Sequence, residues 1–122
     1  MINPYSEEER LQAMVSACYR ASRSHFNHLP MQHIIDPPRE MFDAKLARQV
    51  AIHILTAEFA IPRRRLMAVL ALARTTIYGA VYTVDERRYE PVFERAYARI
   101  SARAHDLFME ALNDAARDEE AA

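Results

Sequence analysis

The chain of 122 residues is 51% apolar and contains one glycine, six prolines and one cysteine. A chain of this length buries one modest core, which favours a single domain. It has no run of about 18 apolar residues and its start is acidic, so we expect neither a membrane span nor a secretory signal and predict a cytoplasmic protein. Cys18 has no second cysteine to pair with, which excludes an internal disulfide.

The formal net charge of −1 conceals an uneven distribution along the chain. Residues 10–75 carry ten basic and four acidic side chains, whereas residues 1–9 carry three glutamates and residues 76–122 carry six basic and ten acidic side chains. All basic residues except Lys45 are arginines, whose planar forks suit phosphate oxygens and guanine edges. The near-neutral total argues against a nucleic-acid binder, while the segment balance predicts one basic face.

Residues 7–20 have the pattern of an amphipathic helix. Ser6 and Glu9 have the spacing of a capping box, and glutamates fill the first turn. A turn and a second short helical turn are predicted at residues 22–26, and mostly a loop at residues 27–42, because that segment holds three prolines. The apolar residues of the first helix recur at helical spacing and predict one buried face: Leu11, Met14, Val15, Cys18 and Tyr19.

The remaining segments also favour helices. Asp43 is predicted as the N-cap of a helix to about Phe59, and Pro62 suits the first turn of the next helix. A turn at residues 71–73 leads to a helix that begins around Arg74, and residues 114–122 are expected to fray as an acidic tail. No segment alternates as a convincing strand, so the predicted fold class is all-α. A last helix begins near residues 89–91 and is expected to turn inward Val92, Phe93, Ala96, Ile100, Leu107, Phe108, Ala111 and Leu112.

Three motifs stand in a characteristic order: Ala47-Arg48-Gln49-Val50-Ala51, then Ile61-Pro62 with three arginines, then Arg74-Thr75-Thr76-Ile77 closing on Ala80. This order resembles the duplex-binding C-terminal domain of the bacterial replication initiator DnaA. The resemblance covers about residues 10–86 and implies a single-domain helix-turn-helix bundle of the Trp-repressor-like class, to which the long C-terminal helix is an addition outside the resemblance. It divides the chain into a DNA-binding domain at residues 6–86, a C-terminal helix at 87–118 and an acidic tail at 119–122.

The chain also departs from that family. The initiator has a glycine-rich segment and then Asp-His before its two threonines, whereas this chain has Ala71-Leu72-Ala73-Arg74, so we do not expect it to bind the initiator's own box. Its size resembles the stand-alone, initiator-like activators of gene transfer agents. That resemblance implies a nucleoid-associated regulator of phage-derived genes that works with RNA polymerase and integration host factor.

The helix from Arg74 to about Val84 is the predicted recognition helix. If Ile77, Ala80, Val81 and Val84 face the core, the opposite face carries Thr75, Tyr78, Gly79 and Tyr82. Arg74 is expected to contact guanine, and the threonines and Tyr78 to contact base edges or phosphates. The glycine costs about 1 kcal/mol inside a helix, and close approach of double-stranded DNA would explain it. In the alternative, the last helix covers this face.

Four further arginines are candidate phosphate contacts. Residues 63–65 lie at a helix start, where the helix dipole disfavours cations, so an outside anion would explain them. Successive helical residues point in different directions, and we expect two of the three to contact DNA; the alternative is a solvated charge run. Arg48 either contacts phosphate or pairs with a nearby acid. The complete candidate set is Arg48, Arg63, Arg64, Arg65, Arg74, Thr75, Thr76, Tyr78 and Gly79.

Other functions receive little support. His25, His28 and His33 lie close in sequence but have no acidic or cysteine partner, so we expect no metal. One glycine cannot build a phosphate loop, and no catalytic order of residues is present, so we expect neither a cofactor nor an enzyme. The last helix either completes the core or serves a homodimer or RNA polymerase. A protein-binding adaptor that modulates replication initiation without binding DNA is the alternative function.

Overall fold

A computed structural model describes residues 2–121, and within that range the chain forms six helices and no strand. The predicted all-α class is therefore confirmed. Met1 and Ala122, the last residue of the predicted acidic tail, lie outside the described residues. The helices are α1 (Glu7–His25), α2 (Met31–Ile35), α3 (Phe42–Ala57), α4 (Arg63–Leu70), α5 (Arg74–Arg87) and α6 (Pro91–Ala121).

Helix α1 begins as predicted and ends later than predicted. The Ser6 hydroxyl accepts a hydrogen bond from the Glu9 backbone N–H at 3.3 Å, which caps the helix. The turn predicted at residues 22–26 is wrong, because α1 continues to His25. Ser22 is buried there and donates a 2.6 Å hydrogen bond to the Ala47 carbonyl of α3, so packing between the helices fixes the last turns of α1.

The segment between α1 and α3 is more ordered than its prolines suggest. Helix α2 interrupts the predicted loop, because its residue Ile34 is fully buried in the core and anchors a helix of five residues. Helix α3 begins one residue before the predicted cap, with Met41 in the capping position. Asp43 lies in the first turn of α3 instead, and its carboxylate contacts His28 Nε2 at 3.0 Å.

The core lies where α1 and α5 flank α3 and where α6 packs along α1. Small residues let these helices approach closely, and aliphatic residues such as Leu55 and Ile77 fill the space between them. The prediction for Val92 is wrong: it lies in the first turn of α6 and is 62% exposed. The predicted fraying tail remains helical to Ala121. The buried alanines are Ala13, Ala17, Ala21, Ala44, Ala47, Ala51, Ala80, Ala104 and Ala115.

A polar network joins α3, α5 and α6; its centre, His53 and Tyr97, is buried, and its charged groups reach solvent. The two ring nitrogens of buried His53 contact the Tyr97 hydroxyl and an Asp85 carboxylate oxygen, each at 2.6 Å. The Arg88 guanidinium lies 4.2 Å from the Tyr97 ring centroid and donates two hydrogen bonds to Glu94, at 2.7 and 2.9 Å. Burial raises the pKa of the Tyr97 hydroxyl, so this group stays protonated. The network fixes the side of α5 that faces the core.

The connection between α4 and α5 is short and sharp. Residues 71–73 join the two helices, which lie at 118° to each other. Ala71 adopts φ +54°, the left-handed conformation that ends many helices, and the Leu72 N–H bonds to the Met67 carbonyl at 3.2 Å. This hydrogen bond satisfies a terminal carbonyl of α4 and fixes the direction of the turn. The predicted turn and the predicted start of α5 at Arg74 are both confirmed.

Within residues 2–121 no single helix is long and apolar enough to cross a membrane. The bent pair of α4 and α5 passes the same criterion of length and composition only when the two helices are combined.

Candidate nucleic-acid interface

The face of α5 that points away from the core is open. Ile77, Ala80 and Val84 are buried as predicted, whereas Tyr78 is 40% and Tyr82 is 68% exposed on the other side. Helix α6 packs along α1 rather than over these tyrosines. The alternative in which the last helix covers this face is therefore wrong for the described residues.

Two arginines converge on Tyr78 from different helices. The guanidinium carbon of Arg63, at the start of α4, lies 4.6 Å from the Tyr78 ring centroid. That of Arg74, at the start of α5, lies 5.0 Å from the same centroid. Both arginines are exposed, and neither forms an ion pair with a carboxylate among residues 2–121. Two positive charges therefore lie on one ring, and no carboxylate of the described residues neutralises either of them.

A groove of 260 Å³ lies between α3 and α5, beside this cluster. Arg48 is partly buried at this groove, and its Nε atom is buried without a hydrogen-bond partner among residues 2–121. A buried donor without a partner is costly, so an acceptor supplied from outside would stabilise it. No acidic residue lines the groove, which excludes a carboxylate there as that partner. The lining residues are Lys45, Arg48, Gln49, Ile52, Thr75, Thr76, Gly79, Ala80 and Thr83.

Gly79 has no packing role inside the molecule. A Cβ atom built at this position meets nothing within 4 Å, and the backbone conformation is ordinary helix. A glycine here gives up about 1 kcal/mol of helix stability relative to alanine with no intramolecular contact to explain it. Gly79 lines the groove next to Thr75 and Thr76, and the missing side chain leaves the helix backbone accessible there.

The three arginines that follow Pro62 point in different directions. Arg63 joins the Tyr78 cluster, and Arg64 is exposed without an ion pair in the described part of the chain. Arg65 turns toward α1, where its Nη1 atom lies 3.9 Å from a Glu7 carboxylate oxygen. Both side chains of that pair are largely solvent-exposed, so it contributes little to stability. Arg65 thus contacts α1 rather than the Tyr78 cluster, and the expectation that two of the three arginines contact DNA stays a prediction.

The start of α5 adds a partial positive charge to the same surface. Ala73 occupies the capping position and offers no side-chain acceptor for the first N–H groups of the helix. Uncapped N–H groups and the helix dipole both favour an anion at this end. Arg74 and Thr75, the first two residues of α5, therefore lie where a negatively charged ligand is favoured.

Sequence reasoning missed part of this surface. Lys45, Gln49 and Thr83 line the groove but were not among the predicted contacts. Lys45 and Gln49 stand three residues before and one residue after Arg48 on α3. That helical spacing was a visible signal of one polar stripe on α3.

Two further titratable side chains, Cys18 and His53, belong to the core. Among residues 2–121 no group of three or more histidine, cysteine, aspartate or glutamate side chains could hold a metal ion. Burial raises the pKa of the Cys18 thiol far above its usual range, so this sulfur is an unreactive core group. His53 is committed to the network beneath α5.

No protein-family model, curated protein or solved structure matches this chain. Its function is therefore inferred from the geometry and charge of its own surface.

Proposed function

We propose that the protein is a transcriptional regulator that binds double-stranded DNA sequence-specifically, with α5 as its recognition helix. One observation carries the proposal. On the exposed face of α5, Arg63 of α4 and Arg74 lie on the Tyr78 ring without a carboxylate partner among the described residues. Beside them, Gly79 borders the groove in which the buried Nε of Arg48 has no hydrogen-bond partner among residues 2–121. Each feature lacks an internal explanation, and a polyanion supplies the missing partner for all of them.

The geometry of α4 and α5 supports a helix-turn-helix unit. Such units join two helices at about 90–120° through a turn of three or four residues, and the second helix enters the major groove. Helices α4 and α5 meet at 118° across residues 71–73. In this docking the first turn of α5 contacts the bases, as the resemblance to the initiator's duplex-binding domain also implies.

The candidate residues take different roles in this docking. Arg74 contacts a guanine edge, and Thr75 and Thr76 contact bases or phosphates beside it. Arg48 lies across the groove and contacts a phosphate, for which its buried Nε is the donor. Arg63 and Arg64 contact the backbone at the groove edge, while Arg65 lies nearest to α1.

The regulatory partners are proposed on the resemblance to gene transfer agent activators. On that basis the protein activates phage-derived genes together with RNA polymerase and integration host factor. A homodimer would bind paired half-sites, as many helix-turn-helix proteins do.

In vitro selection from a random duplex library tests DNA binding when the operator sequence is unknown. We expect the wild-type protein to enrich one motif, hereafter the selected duplex. Arg74→Ala should lose about 1–3 kcal/mol of affinity for it and relax its specificity. Arg103→Ala removes the same charge from the exposed surface of α6 and serves as the matched control. Failure to enrich any motif, or equal effects of the two substitutions, would refute the proposal.

A protein-binding adaptor is the second candidate, and one observation favours it. An apolar groove of 390 Å³ lies between α1, α2 and α4, and Ile35 at its edge is 56% exposed. An adaptor would show little DNA binding at any salt concentration. The selection experiment therefore separates the two candidates.

A further inference from the structure

We infer that Tyr78 is a positioning residue that holds Arg63 and Arg74 together as one two-pronged anion-binding unit. The inference rests on the proposed function and explains how that surface acquires specificity. It assigns to Tyr78 a role different from the direct contact with DNA that the sequence predicts.

The geometry places one ring between the starts of two helices. Arg74 and Tyr78 stand four residues apart on α5, one helical turn, whereas Arg63 reaches the ring from α4. Both guanidinium carbons lie within cation–π distance of the ring centroid, at 5.0 and 4.6 Å. The side chains of exposed arginines are otherwise free to sample many rotamers. The ring therefore restricts two flexible side chains before any ligand arrives.

The unit has an unfavourable charge balance without a ligand. Two like charges share one ring, and no carboxylate among residues 2–121 pairs with either. An anionic group that contacts both arginines relieves their repulsion, so their contributions to binding are coupled. A DNA phosphate has the required chemistry, because its oxygens carry negative charge and accept hydrogen bonds from arginine forks.

The ring face, rather than the hydroxyl group, makes these contacts. Tyr78→Phe therefore keeps the unit intact, whereas Tyr78→Leu keeps an apolar, helix-favouring side chain and removes the aromatic face. Tyr82 is the matched control, since it is an exposed tyrosine on the same helix with no arginine stacked on it among the described residues.

The test measures binding of the selected duplex by fluorescence anisotropy. Tyr78→Phe should stay within about twofold of wild type, and Tyr78→Leu should lose about twofold to fivefold affinity for each displaced arginine. The salt dependence of Tyr78→Leu should match that of wild type, because no charge is removed. Circular dichroism at the assay temperature checks that each variant is folded.

A double-mutant cycle tests the coupling itself. Arg63→Gln and Arg74→Gln are combined in the wild-type, Tyr78→Leu and Tyr82→Leu backgrounds. We expect non-additive effects in the wild type and with Tyr82→Leu, and additive effects with Tyr78→Leu. Additivity in every background, or a Tyr78→Phe variant as weak as Tyr78→Leu, would overturn the inference while DNA binding itself stands. A wild-type protein that does not discriminate the selected duplex from a scrambled one would overturn the proposed function instead.

Discussion

The molecule contains two places where arginine stacks on tyrosine, and they differ in what balances the charge. At the edge of the core, the partly exposed Arg88 lies 4.2 Å from the ring centroid of buried Tyr97 and binds Glu94 through two hydrogen bonds. At the surface, Arg63 and Arg74 lie on Tyr78 with no carboxylate partner among residues 2–121. The charge of Arg88 in the inner stack is balanced by Glu94, whereas the described residues supply no carboxylate to balance Arg63 and Arg74 in the outer stack.

On the proposed function, this difference separates structural support from the DNA-binding surface on the same helix. The inner stack continues through His53 to Asp85 and fixes the buried side of α5. The outer stack stands on the exposed side of that helix. If the proposed function is right, substitutions on the inner face of α5 should reduce stability and substitutions on its exposed face should reduce DNA binding.

Removal of the two aromatic rings should give the largest contrast. Tyr97→Ala should lower the free energy of unfolding by about 3–5 kcal/mol, because it leaves a cavity in the core and removes the hydroxyl partner of His53 Nδ1. Tyr78→Ala should lower it by no more than about 1–2 kcal/mol, the contribution of two exposed cation–π contacts. Urea denaturation measures both values. Equal losses for the two variants would end the distinction between the faces.

Arg48→Met should weaken DNA binding without weakening the fold. Loss of a charged donor to phosphate should cost about 1.5–3 kcal/mol of affinity and reduce the salt slope by about one. Stability should hold or rise, because the substitution removes a buried donor that has no partner within the described residues. Arg103→Met provides the control for charge loss elsewhere. An Arg48→Met protein that unfolds more easily and binds DNA normally would make Arg48 a structural residue.

Gly79→Ala should have opposite effects on stability and affinity. The added methyl group meets no atom within 4 Å, so helix propensity should stabilise the free protein by about 1 kcal/mol. The same methyl group should weaken binding of the selected duplex by obstructing close approach at the groove. Thermal denaturation and anisotropy supply the two measurements. Unchanged or tighter binding would remove Gly79 from the interface.

Glu94→Gln should produce the smallest effect, on the acid side of the stability profile. The Arg88 guanidinium lowers the pKa of the Glu94 carboxyl in the folded protein. A depressed folded pKa gives stability that is present above the ordinary carboxyl pKa and is lost as pH falls through the folded value. Urea midpoints between roughly pH 2 and pH 6 should therefore decline less steeply in Glu94→Gln than in wild type.

Glu110→Gln is the control for the acid profile, since Glu110 is exposed and forms no ion pair among the described residues. Its profile should follow that of the wild type. A Glu94→Gln profile that also follows the wild type would show that the inner ion pair contributes no pH-dependent stability.

Local signals in the sequence predicted the elements on which the site depends. Pro62 marked the start of α4, and the apolar spacings of α4 and α5 on either side of residues 71–73 located the turn between these helices. Helix α2 was missed because a five-residue helix depends on the burial of Ile34, which no local pattern reveals. The same limit applies to the end of α1, which Ser22 fixes through a contact with Ala47.

The candidate site was predictable as a set of residues but not as an arrangement. Helical periodicity was sufficient to place Tyr78 and Gly79 on the exposed face of α5. The two arginine contacts of Tyr78 depend on the angle between α4 and α5, a tertiary quantity. Likewise, the inner network joins residues 44 and 32 positions apart in the chain, so the role of His53 emerges only from the folded structure.

Nuclear magnetic resonance mapping of the selected duplex on the protein tests the central claim most directly. We predict that backbone amide shifts change most from Arg74 to Tyr82 and around Arg48, with little change on the exposed face of α6. Shift changes confined to α6 or to the apolar groove between α1, α2 and α4, or none at saturating duplex, would contradict the assignment of α5 as the recognition helix.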